Sequence, residues 1–203
     1  QVSDLQSWTD AYIAALAPAK HFRGNVLVER DGKVLLEKSY GLADESWNVP
    51  NVPDGRFEIA SITKQVTAVA ILQLQATGKL SVKDRISKFY SQAPPSWRAI
   101  SVEELLTHTS GIPNNQLKDF TKGIAVPYTP TELIDTFRDR PLVSAPGTKW
   151  AYTNTEYYLL AYIIEKLSGE SYGTYLTNHI FRPLGMTHSG FAPTTEVIPE
   201  MAI

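Results

Sequence analysis

The run Ser61-Ile62-Thr63-Lys64-Gln65-Val66-Thr67-Ala68-Val69-Ala70-Ile71-Leu72-Gln73-Leu74-Gln75-Ala76-Thr77-Gly78 decides how this chain is read. From Ile62 to Ala76 it is apolar on most faces and carries few charges, which predicts a helix buried all round. Gly78 stands where a C′ residue ends such a helix. Ser61 and Lys64 are three apart at its start, so their side chains share one face, a turn from each other. A serine hydroxyl is a poor nucleophile until a base removes its proton. A lysine is that base only where burial or neighbouring charge favours the free amine. An apolar helix would supply the burial, and its N-terminal N–H groups and dipole would favour an oxyanion beside Ser61. The count alone is uninformative. With 15 Ser and 11 Lys in 203 residues, chance supplies about one Ser-x-x-Lys pair. Ser61 as a plain N-cap beside a solvated Lys64 explains the count equally well. What favours chemistry is position, because Lys is seldom placed on an apolar helix without a partner.

Outward from this run, the chain reads as helix, hairpin, then a long helical region. Ser3-Asp4-Leu5-Gln6 has the form of a capping box, with Leu5, Trp8, Tyr12 and Leu16 following at helical spacing and Pro18 ending the run. Gly24 to Arg30 and Lys33 to Tyr40 are rich in Val and Leu, and Asp31-Gly32 between them is the dipeptide a tight hairpin prefers. On the other side, Ser101-Val102-Glu103-Glu104 caps a short helix and Thr129-Pro130 opens another with Pro at N1. Thr155 to Leu167, closed by Gly169, and Tyr172 to Ile180 are two more, and Pro141 to Ala151 reads as loop. A lone hairpin is marginal in water, so the sheet is expected to need more strands than these residues supply.

Composition removes several classes of function. Lys plus Arg total 19 and Asp plus Glu 21, a net charge of -2 that gives no electrostatic case for nucleic acid or an anionic membrane. No apolar run reaches the roughly 20 residues of a membrane span. There is no cysteine, so disulfides, thiolate catalysis and Cys-ligated zinc are excluded. His21, His108, His179 and His188 lack metal-ligand spacing and are expected to be surface or hydrogen-bonded histidines. The four Trp and ten Tyr are expected mostly in the core or lining a cleft. Ser110, between Thr109 and Gly111, lacks the Gly-x-Ser-x-Gly elbow and reads as a structural turn.

Tyr152-Thr153-Asn154 follows the Pro146-Gly147 loop and directly precedes a helix. The plain reading is that Asn154 caps that helix and Tyr152 packs on it. The alternative is that both side chains project beside Ser61, as alternate residues of an extended segment can. A phenol near a lysine ammonium has a depressed pKa and can move protons. An asparagine there can hydrogen-bond Lys64 and a substrate amide.

Taken together, these residues resemble a known family. Phe57-Glu58-Ile59-Ala60-Ser61-Ile62-Thr63-Lys64 resembles the first motif of the serine β-lactamases and penicillin-binding proteins. Leu105-Leu106-Thr107-His108-Thr109-Ser110-Gly111-Ile112 is similar to a segment of the class C branch with its esterase and DD-peptidase relatives. Pro146-Gly147 through Tyr152-Thr153-Asn154 resembles the second motif in its tyrosine form, and Phe181-Arg182-Pro183-Leu184-Gly185-Met186 matches a further family segment.

The resemblance implies an α+β fold, the β-lactamase/transpeptidase-like antiparallel sheet flanked by helices beside a helical domain. Residues 1–56 would be the N-terminal helix and hairpin of the α/β domain, and residues 57–203 the nucleophile helix and helical domain. It implies a serine hydrolase that cleaves an amide or ester through an acyl-enzyme on Ser61. Lys64 would be the base, Tyr152 would shuttle the proton and Asn154 would orient Lys64 and the substrate. One oxyanion donor would be the Ser61 N–H. No metal or organic cofactor is implied. The alternative is a penicillin-binding sensor that is acylated without turnover. The family's third motif, Lys/His-Thr/Ser-Gly on a strand, has a match by letters in His188-Ser189-Gly190, which is rejected because no strand-like run surrounds it. The C-terminal strands with that motif are therefore expected elsewhere, with a second chain carrying the rest of the same polypeptide as the expected partner. The start at Gln1 suggests processing and an extracytoplasmic location.

Overall fold

A computed structural model describes residues 2–16, 22–114, 128–193 and 197–202. Pro18 and His21 lie outside the described residues. The chain forms two compact units, residues 1–59 with 197–203 and residues 60–196.

In the first unit, helix α1 (Val2–Leu16) precedes strands β1 (Gly24–Arg30) and β2 (Lys33–Tyr40), which pair antiparallel. Their ends coincide with the sequence reading because the turn is local. Asp31 and Gly32 both take positive φ, 55° and 73°, the pair of left-handed residues a two-residue hairpin needs. The helix begins at Val2, so Ser3 lies inside it and not at an N-cap. Thr9 and Ile13 are the buried positions of α1, while Trp8 and Tyr12 stack on each other at the surface with centroids 5.4 Å apart. The helix is tied to β2 by Asp10, whose carboxylate accepts from Lys38 Nζ at 2.7 and 2.8 Å and from the Tyr40 hydroxyl at 2.8 Å. Two short strands, β3 (Leu42–Asp44) and β4 (Val49–Pro50), form a second ladder, and Arg56 bridges Met201 in parallel. Among the described residues the sheet is thus two separate two-stranded ladders, an incomplete version of the expected one.

The second unit is helical. A 3-10 turn (Ala60–Ile62) leads into α2 (Thr63–Ala76), followed by α3 (Val102–Leu106), α4 (Pro130–Asp135), α5 (Thr155–Ser168), α6 (Tyr172–Leu176) and a π-helical turn (Thr177–Phe181). Helix α2 ends in a Schellman motif, with Gly78 N–H to Gln75 O at 2.9 Å and Lys79 N–H to Leu74 O at 3.0 Å. Capping boxes at Ser101 and Thr129 start α3 and α4, and Gly169 ends α5 with φ 76°. The core gathers Trp97, Phe137, Tyr90, Leu105 and the Leu159/Leu160 and Ile163/Ile164 face of α5 around α2.

Two expectations are corrected here. Helix α2 is not buried all round. It buries Thr67, Ala70, Ile71 and Leu74, one stripe at three- and four-residue spacing, whereas Ile62, Val69 and Leu72 are 58, 45 and 49% exposed. Apolar composition recorded which residues prefer burial and not which face finds a partner. Likewise only Trp97 of the four tryptophans enters the core; Trp8, Trp47 and Trp150 are exposed. The stretch around His188-Ser189-Gly190 forms no strand, as the sequence required.

Candidate active site

Ser61 occupies the 3-10 turn at the head of α2, directly after Ala60, whose φ of 43° is left-handed. A non-glycine residue held there costs of order 1–3 kcal/mol and persists where surrounding contacts enforce it. One turn on, Lys64 brings Nζ to 3.1 Å from Ser61 Oγ. The spacing of three produced this pairing locally.

The second half of the site comes from far away in sequence. Residues 141–154 follow no regular helix or strand, and a narrow turn holds them in place. Ala151 N–H donates to His108 O at 2.9 Å, Gly147 N–H to Thr109 O at 2.8 Å and Val143 N–H to Gly111 O at 2.8 Å. Asn114 Oδ1 accepts from Asn154 N–H at 3.1 Å and from the Thr153 hydroxyl at 3.3 Å. The turn itself is tight. Gly111 has φ 77°, and a Cβ there would lie 2.2 Å from Ser144 O, so only glycine fits.

This platform places Tyr152 and Asn154 against Ser61 and Lys64. Tyr152 Oη lies 2.6 Å from Ser61 Oγ and accepts from Lys64 Nζ at 2.7 Å. Lys64 Nζ also donates to Asn154 Oδ1 at 2.7 Å, and the Tyr152 hydroxyl reaches the same oxygen at 3.3 Å. Lys64 Nζ sits over the rings of Tyr152 and Tyr157, 4.7 and 5.3 Å from their centroids. The hydrogen bond from Lys64, then that with Ser61, holds the Tyr152 phenol below its usual pKa range. All four residues singled out in the sequence therefore meet. Asn154 does occupy the N-cap position of α5, yet its side chain makes no capping bond and turns to Lys64 instead. Ser61 and Tyr152 remain open to solvent, Tyr152 at 44%.

Behind Tyr152 stands a group the sequence reading missed. Glu156, in the first turn of α5, is 0% exposed. Its Oε1 accepts from the Ser110 hydroxyl at 2.6 Å and from Ser110 N–H at 3.3 Å, and its Oε2 lies 2.5 Å from His108 Nδ1. Ser110 thus serves the turn, as expected, and His108 is hydrogen-bonded. The signal was available: Glu156 precedes Leu159, Leu160 and Ile163 by three, four and seven residues, so a carboxyl falls in the apolar stripe of α5. Among the described residues no cluster of three His, Asp or Glu could hold a metal. His179 instead pairs with Glu170 at 2.7 Å, and His188 is exposed.

The family model described as Beta-lactamase matches residues 9–202. The chain belongs to that family. It groups the serine β-lactamases with penicillin-binding-like proteins, and the chain is a member of a serine hydrolase family on that ground. The relative PbpX of Bacillus subtilis (strain 168), a penicillin-binding protein by name, is 38% identical over 182 residues, 90% of this chain and 44% of its own length. The structure of an octameric penicillin-binding protein homologue from Pyrococcus abyssi is similar with a TM-score of 0.85 at 34% identity, covering 98% of this chain and 47% of that one. A class C β-lactamase structure gives a TM-score of 0.82 at 27% identity, covering 99% and 55% respectively. The fold is therefore of the β-lactamase/transpeptidase type. The chain spans about half the length of these relatives. The expectation of a second chain carrying the remainder finds no support in these likenesses. No helix among the described residues is long and apolar enough to cross a membrane.

Proposed function

We propose that this protein is a serine hydrolase that cleaves an amide or ester through an acyl-enzyme on Ser61. The observation that carries this reading is the triangle of Ser61 Oγ, Lys64 Nζ and Tyr152 Oη, with sides of 2.6, 2.7 and 3.1 Å. With Lys64 as the free amine, its two N–H donors satisfy Tyr152 and Asn154, and its lone pair faces Ser61, the longest of the three contacts. Ser61 passes its proton to Lys64 as Oγ attacks the substrate carbonyl. Tyr152, whose phenol is already eased toward ionisation by Lys64 and Ser61, relays that proton to the departing nitrogen or oxygen. In the second half-reaction water takes the place of the leaving group and surrenders a proton along the same path. Asn154 keeps Lys64 aimed and offers its amide to the substrate. Fixing these groups before the substrate arrives removes the ordering cost from the reaction itself.

The names of the relatives, a penicillin-binding protein and a class C β-lactamase, support acyl transfer from amides, β-lactams included. An esterase or D-amino-acid peptidase is the preferred form, and an extracytoplasmic location fits it. Incubation of the intact protein with a labelled penicillin and with an activated short-chain ester, followed by mass over time, tests the reading. An adduct on Ser61 that clears within minutes identifies a hydrolase. One that persists identifies the receptor alternative. Ester cleavage that survives Ser61→Ala removes Ser61 from the chemistry and ends the proposal.

A further inference from the structure

The buried carboxyl of Glu156 has no part in the mechanism above, and its surroundings give it one. It lies at 0% exposure with three polar contacts, the Ser110 N–H, the Ser110 hydroxyl and His108 Nδ1. The His108 ring is in turn packed on Tyr152, with centroids 4.7 Å apart, and on Tyr157 at 5.3 Å. His108 also carries the carbonyl that staples Ala151, next to Tyr152 in sequence. We propose that Glu156 is a positioning residue for Tyr152, acting through His108, and that the proton of this buried pair keeps the Ser61–Lys64–Tyr152 site competent until alkaline pH removes it. The proposal rests on the reading of those three residues given above.

The charged and titratable groups around the pair are few. Lys64 faces it from α2, and its charge favours the ionised form of Glu156 while helping to keep His108 neutral. Tyr157 and Tyr158, on α5 itself, are held as neutral phenols by burial. On α3, Glu104 is committed to its capping box with Ser101, and on α4, Asp135 binds Arg138 at 2.6 Å and Glu132 binds Thr129. From α6, Tyr172 bonds Thr67 at 2.7 Å. Burial is the leading influence on both partners. It pushes Glu156 up to about 8, against the pull of Ser110 and Lys64, and it lowers His108. Near neutral pH the pair is therefore uncharged, with the Glu156 O–H donated to Nδ1 and the imidazole hydrogen on Nε2.

The alkaline step balances as the loss of one proton. The Glu156 hydrogen moves to Nδ1, Nε2 releases its own to solvent, and a carboxylate remains behind Tyr152. Coupling between two charges is reciprocal. With Glu156 ionised, part of the positive field of Lys64 is offset by the carboxylate, so less of it eases the Tyr152 phenol toward ionisation. The added charge also disfavours a phenolate at Tyr152.

Two measurements on the intact protein decide the matter. The first is the rate of Ser61 acylation by a labelled penicillin or activated ester from pH 6 to 9.5, for wild type and Glu156→Gln. The amide keeps the contacts to Ser110 and donates to Nδ1, but it cannot ionise. Wild type is expected to lose about tenfold or more between pH 8 and 9.5, as one ionisation near 8 dictates, while the Gln variant stays within about twofold. Parallel profiles overturn the proposal. The second is the nitrogen spectrum of the His108 imidazole in wild type, which needs no activity. The Nε2–H form should give way to Nδ1–H around pH 8. An imidazolium at pH 7, or one tautomer across the whole range, overturns it. If Ser61→Ala is labelled as fast as wild type, the fault lies in the functional reading, and the imidazole spectrum alone decides the role of Glu156.

Discussion

The two halves of the site reach the same 3 Å neighbourhood by opposite routes. Ser61 and Lys64 are three residues apart, and the 3-10 turn that runs into α2 brings them together at 3.1 Å. Tyr152 and Asn154 arrive from about ninety residues away, on an irregular segment pinned by backbone bonds to residues 108–111. The first half is a property of local chain geometry and survives any change that leaves α2 helical. The second depends on a platform, so it can be lost with α2 untouched. Chemistry that needs both halves is exposed to failure mainly through the distant one.

The largest effect is expected from the local half. Ser61→Ala should lower turnover by about a thousandfold or more, since removing a nucleophile collapses a cooperating set. Ser61 is exposed, so the thermal midpoint should barely move, as surface substitutions stay within about 0.5 kcal/mol. Steady-state kinetics beside a melting curve measure both. A variant that keeps a tenth of the activity would show that the helix supplies geometry without chemistry. Tyr152→Phe comes next, with an expected loss of about a hundredfold or more, the usual worth of a positioned proton carrier. Retention of full activity would detach the distant half from the reaction.

Gly111→Ala attacks the platform and no catalytic group. Its φ of 77° and the 2.2 Å approach of a Cβ to Ser144 O leave no room, and strain plus overpacking predicts a loss of about 2 kcal/mol or more in denaturant unfolding. Because Val143 binds Gly111 O and Gly147 binds Thr109 O, the segment carrying Tyr152 should shift with it. Activity should then fall beyond what the unfolded fraction explains. Equal losses of activity and folded protein would make the turn a matter of stability alone.

The same contrast explains what the sequence made legible. The hairpin at 24–40 could be placed to the residue because Asp31-Gly32 writes its own turn. The cap at Ser101, the Thr129-Pro130 helix start and the glycine ends of α2 and α5 were equally local. Tyr152 and Asn154 were found as a motif, but their distance from Lys64 follows from nothing in their own neighbourhood. The expectation that α2 is buried all round failed for a related reason. Apolar side chains at helical spacing fit either face, and only the partner, Asp10 with Lys38 and Tyr40 or the stripe through Ala70 and Leu74, selects one. Glu156 was overlooked because a carboxyl near a helix start reads as a dipole partner; its burial becomes visible only once Ser110 and His108 close over it.

Asn114 gives the finest resolution of the comparison. Its Oδ1 accepts from Asn154 N–H and the Thr153 hydroxyl, and Pro113 O beside it accepts from the Thr155 hydroxyl at 2.9 Å. Its bonds run to the distant half and not to Ser61 or Lys64, so Asn114→Ala leaves the local half intact and loosens the distant one by two hydrogen bonds of modest length. Each such bond is worth about 0.5–1.5 kcal/mol net, and neighbours on the platform retain most of the geometry. The expected outcome is a fall in acylation rate of about three- to tenfold at about 1 kcal/mol, with the contact between Lys64 and Asn154 weakened before that between Tyr152 and Ser61 because Asn154 is directly released. Acylation rates for the Asn114 and Asn154 alanine variants and their double variant measure this. If Asn114 acts by aiming the Asn154 side chain at Lys64, the double variant should be no slower than Asn154→Ala alone; fully additive losses would mean that Asn114 acts by another route, such as the Thr153 hydroxyl beside Tyr152.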